Sequence, residues 1–210
     1  MVLELPPEFI RWSFEERREL IKRMIEGKAT KEDFLVGFLR HTPAIISHGP
    51  AGLNASIKGI GFVVKEDYLS ETINAFKEFL KRKSTMQEAA ELLLKYVYTE
   101  DYINRIDFNL LSTIELARKH TWTNFQANND ATILFYMPPE TTYEVRCKVT
   151  IHTEGPYWEY VNLVHDVFHV GPYTTLQRDW KKTPVYIFKI MEIYDNNPKL
   201  MGKLIYKREK

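Results

Sequence analysis

Between residues 111 and 136 the sequence gathers hydroxyls, cations and a carboxamide in one short span. Ser112 and Thr113 end an apolar run, Arg118 and Lys119 follow, and Thr121 and Asn124 come next. Hydroxyl, guanidinium, ammonium and helix N–H donors at this spacing can converge on one small anion. Ser112 and Thr113 also sit where a helix N-cap would fall, and that helix would carry Arg118, Lys119, Thr121 and Asn124. Asn128, Asn129 and Asp130 would break it before a buried strand over 131–137. A phosphate held at a strand-to-helix corner is the chemistry this predicts. The competing reading is a capped surface helix whose basic residues face water.

Other residues offer weaker chemistry. His165 and His169 stand four apart, so they share one helix face and could share a metal. Zinc would want a third ligand, yet Asp166 faces another way, and His152 or Glu154 would have to fold back. No glutamate stands between the two histidines in the metalloprotease position, so a structural helix is favoured over a metal-dependent enzyme. His41 and His48 flank the first expected strand and titrate near neutrality, though a histidine at a helix end is more often a cap. Cys147 and His152 lie five apart on one expected strand and point to opposite faces, which excludes a nucleophile–base pair. Tyr157, Trp158, Tyr160, Phe168, Tyr173 and Trp180 read as core or interface, with a flat heterocycle wall as the alternative. There is no nucleophile elbow, Walker loop or dinucleotide fingerprint.

Composition narrows the class. The 210 residues are 44% hydrophobic and 13% aromatic, enough for a sizeable core and against wholesale disorder. A net charge of +1 argues against nucleic-acid or membrane binding by bulk charge. A single cysteine excludes an internal disulfide and a multi-cysteine zinc site. The N-terminus lacks a secretory pattern and no apolar run is long enough to span a bilayer, so a soluble cytoplasmic protein is expected.

The elements that must position these residues follow from periodicity. Ser13 and Glu16 form a capping-box pattern for a helix over 13–26, and Thr30 opens another over 31–40. The two make an N-terminal helical extension over 1–41, ahead of a second domain over 42–210. Residues 44–64 read as a hairpin rich in glycine, which marks bulges or close backbone approach. Helices are expected over 70–83 and 88–98, the second capped from Ser84, and a strand over 102–111. Residues 142–152 alternate strictly, with Tyr143, Val145, Cys147, Val149 and Ile151 on one face. A helix over 157–169, a loop from 171, a strand over 185–194 and a short edge over 203–207 complete an α+β pattern with a mainly antiparallel sheet or barrel.

Two of these pieces together resemble the FMN-binding split-barrel family, the pyridoxamine-phosphate-oxidase-like proteins. Residues 44–68 look like its first hairpin, with Gly52 in the turn and Asn54 after it. Ser112-Thr113, then Arg118-Lys119 and Asn124, then 131–136, look like its strand, phosphate-binding helix and next strand, and residues 143–151 resemble the long barrel strand that follows. The resemblance covers roughly 42–195 in spacing and residue class more than identity. It implies an antiparallel split β-barrel with an N-terminal helical cap and inserted helices. It also implies FMN as cofactor, its phosphate held by Arg118 and Lys119 with Ser112, Thr113 and Thr121 as hydroxyl donors, and its isoalloxazine near Asn54, Ala55 and Ser56. A homodimer with flavin at the interface is implied as well, and a flavin-dependent oxidoreductase acting by hydride transfer. Two features depart from the family. Helices over 70–98 interrupt the barrel, and the C-terminal arginine motif of a true pyridoxamine phosphate oxidase is missing, which leaves a flavin reductase or a flavin binder of unassigned substrate. Deazaflavin or haem in the same pocket, and a non-catalytic regulatory protein binding a partner through its helices and aromatic surface, are the alternatives.

Overall fold

The computed structural model describes residues 5–170 and 178–209. Helix starts earlier than the capping pattern predicts. Pro7 opens α1 (Pro7–Ile10), where its missing N–H costs nothing, and a wider π turn (Arg11–Glu15) leads into α2 (Glu16–Ile25). Phe9, Ile10, Trp12 and Phe14 all bury in the core, which draws the helix start upstream. Ser13 therefore lies inside the helical run and donates to the Phe9 carbonyl at 2.6 Å instead of capping. α3 (Lys31–His41) does open on a capping box, with Thr30 and Asp33 each satisfying the other's backbone N–H.

Next come β1 (Ala44–Ser47), β2 (Asn54–Ile57), β3 (Gly61–Val64), α4 (Glu66–Leu80), α5 (Met86–Tyr96), α6 (Tyr102–Arg105) and β4 (Ile106–Ile114). The chain continues through α7 (His120–Ala127), β5 (Asp130–Met137), β6 (Thr141–His152), α8 (Pro156–Phe168), β7 (Val185–Asp195) and β8 (Lys203–Lys207). Thr85, with Glu88, caps α5 one residue beyond the expected Ser84. Every ladder is antiparallel, in the order β2-β1-β5-β6-β7-β4-β3, with β8 continuing the β4 side of β7. This is the expected α+β class, with helices before the sheet and a helical insertion between β3 and β4.

The expected hairpin over 44–64 is only half right. β1 and β2 form it, whereas β3 leaves for β4 at the opposite end of the sheet. Only residues 58–60 separate these two end strands, a reach of about 14 Å at full extension. The sheet must therefore roll until its ends nearly meet. It closes through the chain and not through a ladder, so β2 and β3 both keep an edge.

Inside the roll, Ile133 and Phe135 of β5, Val145, Cys147 and Val149 of β6, and Tyr186, Phe188 and Ile190 of β7 are buried. Phe9 and Trp12 pack edge-on or tilted against Phe135 and Tyr143, while Phe14 meets Phe62 and Phe108. The N-terminal helices thus share one apolar cluster with the sheet. α8 packs with α4 and α5 and against β4 and β7. Among the described residues, no helix is long and apolar enough to cross a membrane.

Candidate cofactor site

Ser112 and Thr113 are not helix caps. β4 runs on to Ile114 because it pairs residue by residue with β7, Thr113 facing Tyr186 and Ile114 facing Val185. Both hydroxyls are buried and engaged: Ser112 Oγ donates to the Gly61 carbonyl at 3.3 Å, and Thr113 Oγ1 to the Gly59 carbonyl at 2.6 Å. They fix the link between β2 and β3.

Glu115 dominates the turn that follows. It is 2% exposed, and four donors converge on its carboxylate. The Ala117 and Arg118 amides each donate to Oε1 at 2.8 Å, while Lys58 Nζ at 2.7 Å and the Tyr186 hydroxyl at 3.1 Å reach Oε2. Burial alone would push this carboxyl up; Lys58 and the two amides outweigh it and leave Glu115 below the ordinary carboxylate range. Tyr186, by contrast, is pushed up by burial and by the adjacent Glu115. Two backbone N–H groups ahead of α7 therefore already hold an internal anion. Sequence reasoning missed Glu115 and Lys58, although Glu115 is the lone acid between Ser112 and Asp130.

Arg118 and Lys119 precede α7 instead of lying within it. Arg118 adopts φ 47°, its guanidinium lies 5.1 Å from the Trp122 ring centre, and Nη2 donates to the Lys181 carbonyl at 3.4 Å. Lys119 occupies the N-cap position, exposed, and no side chain caps the helix. Arg118, Lys119 and His120 are thus exposed at a helix start that no side chain caps. Immediately behind them Thr121 is buried, and Asn54 Nδ2 donates to its Oγ1 at 2.8 Å while Ser56 Oγ lies 3.0 Å away. Ala55 is exposed on the same edge strand. Asn124, fully buried, locks α7 to the hairpin: Oδ1 accepts from Ala51 N at 2.8 Å, and Nδ2 donates to Ser47 Oγ at 3.1 Å and to the Gly52 carbonyl at 2.8 Å.

Asn54, Ser56 and Thr121 are therefore bonded together, with Arg118 and Lys119 at the mouth of the same helix, whereas Ser112 and Thr113 act on the other side of Glu115. A dianion fits the uncapped, cation-flanked start of α7, and a flat ring with a hydrogen-bonding edge fits the free edge of β2. Two open grooves lie elsewhere. One of about 360 Å³ runs between α4 and the start of α8, and one of about 600 Å³ is lined by His48, Asn128, Arg146 and Lys148 among others.

The remaining candidates resolve simply. His165 and His169 rings lie 4.4 Å apart, but Asp166 already takes Arg178 Nη2 at 2.7 Å and Trp180 Nε1 at 2.7 Å. Among the described residues no three metal-ligating side chains cluster. His48 meets Asn128, Nδ1 to Nδ2 at 3.2 Å. Cys147 is buried and its thiol is pushed up by desolvation, and His152 packs on Tyr157. Tyr160 is core and donates to the Phe62 carbonyl at 3.1 Å, and Trp158 and Trp180, partly buried, meet edge-on against that core; Tyr173 lies outside the described residues.

No family model and no curated protein matches the chain. Solved structures do overlap it. HupZ from Group A Streptococcus is 13% identical at TM-score 0.47, over 90% of this chain and 96% of that one. A putative pyridoxamine 5'-phosphate oxidase from Listeria innocua is 11% identical at 0.44, over 79% and 98%. An FMN-binding protein from Syntrophomonas wolfei is 9% identical at 0.43, over 90% and 91%. All three overlaps lie below 0.5, and the architecture stands on the strand register alone.

Proposed function

We propose that this chain binds FMN across β2 and the start of α7 and acts as a flavin-dependent oxidoreductase whose substrate is unassigned. One observation carries the reading. The end strand of the sheet bears Asn54 and Ser56 bonded to Thr121, at the mouth of an uncapped helix preceded by Arg118 and Lys119.

Arg118 and Lys119, with the first-turn amides of α7, would hold the phosphate. Residues 54–56 would receive the ring, their unpaired backbone groups matching its carbonyl and N–H edge. Ser112 and Thr113 would serve at one remove by pinning the β2–β3 link. When bound, FMN supplies hydride acceptance and donation at its N5. The nearby amides and cations favour the negative charge that reduction brings.

The site is open, and apolar side chains flank it at the two ends of β2: Leu53 is 81% exposed and Ile57 67%. Exposed apolar surface of this kind supports a homodimer in which a second copy covers the ring. Exposed Phe34, Leu35 and Phe38 on α3 favour a second reading, a regulatory protein that docks a partner there. Purified protein that is yellow, or that quenches FMN fluorescence at micromolar concentration, supports the flavin reading. Colourless protein that leaves FMN fluorescence unchanged, yet co-purifies with a stoichiometric partner, supports the other.

A further inference from the structure

Three arginines of the described chain are buried: Arg17, Arg18 and Arg40. Arg18 meets the carboxylate of Glu100, and Arg40 Nη2 meets Glu16 Oε2 at 2.6 Å. Arg17, 7% exposed, meets no carboxylate among the described residues. Its guanidinium lies 5.4 Å from the Tyr98 ring centre and 5.3 Å from that of Phe168. Nη1 is spent on His41 Nδ1 and, at 3.3 Å, on the Ile60 carbonyl. The Nε–Nη2 edge has no acceptor among the described residues.

Three imidazoles line the same junction. His41 stacks on Phe168 with ring centres 5.5 Å apart, His169 follows at 6.0 Å from Phe168, and His165 stands 4.4 Å from His169. Asp166 is already bonded to Arg178 and Trp180 and lies 3.3 Å from His165 Nδ1, which leaves the Nε2 side of that ring for a ligand. A buried guanidinium without a counter-charge is costly, and a planar fork with one free edge matches two oxygens of an oxyanion. Phe168, 43% exposed, lies on the solvent side of the cluster.

We infer that Arg17, His41, His165 and His169 form a second binding site, for a small oxyanion such as a carboxylate or phosphate group, at the junction of α2, α3 and the end of α8. Arg17 supplies the bidentate edge, and the imidazoles supply single N–H donors. This inference is independent of the flavin reading.

Imidazole and guanidinium NMR signals of the full chain, titrated with inorganic phosphate and separately with acetate, test it. The titration is run in the Arg118→Ala, Lys119→Ala background, so that phosphate near α7 does not contribute. The expected result is a saturable shift of the His41, His165 and His169 imidazole signals and of Arg17 Nε–H, absent with chloride at equal ionic strength. Arg17→Lys, which keeps the charge and loses the fork, should weaken binding about tenfold, the worth of one charge-assisted hydrogen bond. His169→Gln, at an exposed position, gives a second and milder weakening should Arg17→Lys fail to fold. Response to one oxyanion and not the other supports the site and names its ligand class. No saturable shift with either, or equal shifts with chloride, overturns it.

Discussion

Replacing Glu115 with glutamine keeps the side chain's shape and removes the charge on which Lys58, Tyr186 and two amides converge. The amides can still bond to a carboxamide oxygen. Its NH2 group, however, would then face an ammonium at 2.7 Å and a hydroxyl at 3.1 Å. Removing one partner of a buried ion pair costs about 3–5 kcal/mol. Lys58 is 14% exposed in its side chain and can partly turn to water, so the lower end, about 3 kcal/mol, is expected. Glu115→Gln combined with Lys58→Met removes both charges and should recover about 2 kcal/mol of that loss, the coupling read from the cycle. Urea unfolding near neutral pH with linear extrapolation measures each variant. A loss below about 1 kcal/mol for Glu115→Gln, or strictly additive single changes, refutes the claim that this carboxylate organises the turn. The pH dependence has a matching sign. A carboxyl held below its ordinary value of about 4.3 contributes stability above that pH and loses it as pH falls through the lowered value. The glutamine variant should lack that part of the acid loss.

Two further predictions concern the scaffold. Asn124→Ala leaves the Ala51 amide and the Gly52 carbonyl without their partner and should cost about 2–4 kcal/mol in urea unfolding; a change under about 1 kcal/mol contradicts the role given to Asn124. Burial, then Arg17, with His169 and His165 behind them, holds His41 well below its usual range, and burial lowers His169 too. A base depressed on folding takes up its proton in the unfolded chain first. Stability should therefore fall as pH drops below about 6.5, by up to about 1.4 kcal/mol per pH unit for each such group. Denaturation midpoints that stay level or rise from pH about 7 to about 5.5 contradict this.

Sequence periodicity reaches the long strands and fails at the short ones. The alternation of Tyr143, Val145, Cys147 and Val149 fixes β6, because one face is buried along its whole length. β2 and β3 have four residues each and only three between them, too little for alternation to separate one strand from two. Ser112 and Thr113 resemble caps because hydroxyls cap helices, yet the ladder with β7 carries the strand past them, and pairing between distant segments leaves no local trace. Thr121 bonds to Asn54 and Ser56 from the hairpin, while Arg118 and Lys119 precede the helix that the spacing put them in. Glu115 escaped notice because a lone acid beside basic residues looks like surface charge until Lys58 arrives from the β2–β3 link. Arg17 is invisible in sequence for the same reason, since what distinguishes it is that the fold brings it rings, an imidazole and a carbonyl but no carboxylate among the described residues.

In the proposed complex Arg118 and Lys119 hold the phosphate of a flavin whose ring lies on β2. Paired titrations with FMN and riboflavin, which differ by that phosphate, test it most directly. The protein should prefer FMN by about 10–100-fold, the worth of about 1–3 kcal/mol from two exposed cations and a helix start. The Arg118→Ala, Lys119→Ala variant should bind the two equally, with riboflavin affinity unchanged. Equal affinity for FMN and riboflavin in the unaltered protein, or a preference that survives both substitutions, would contradict it.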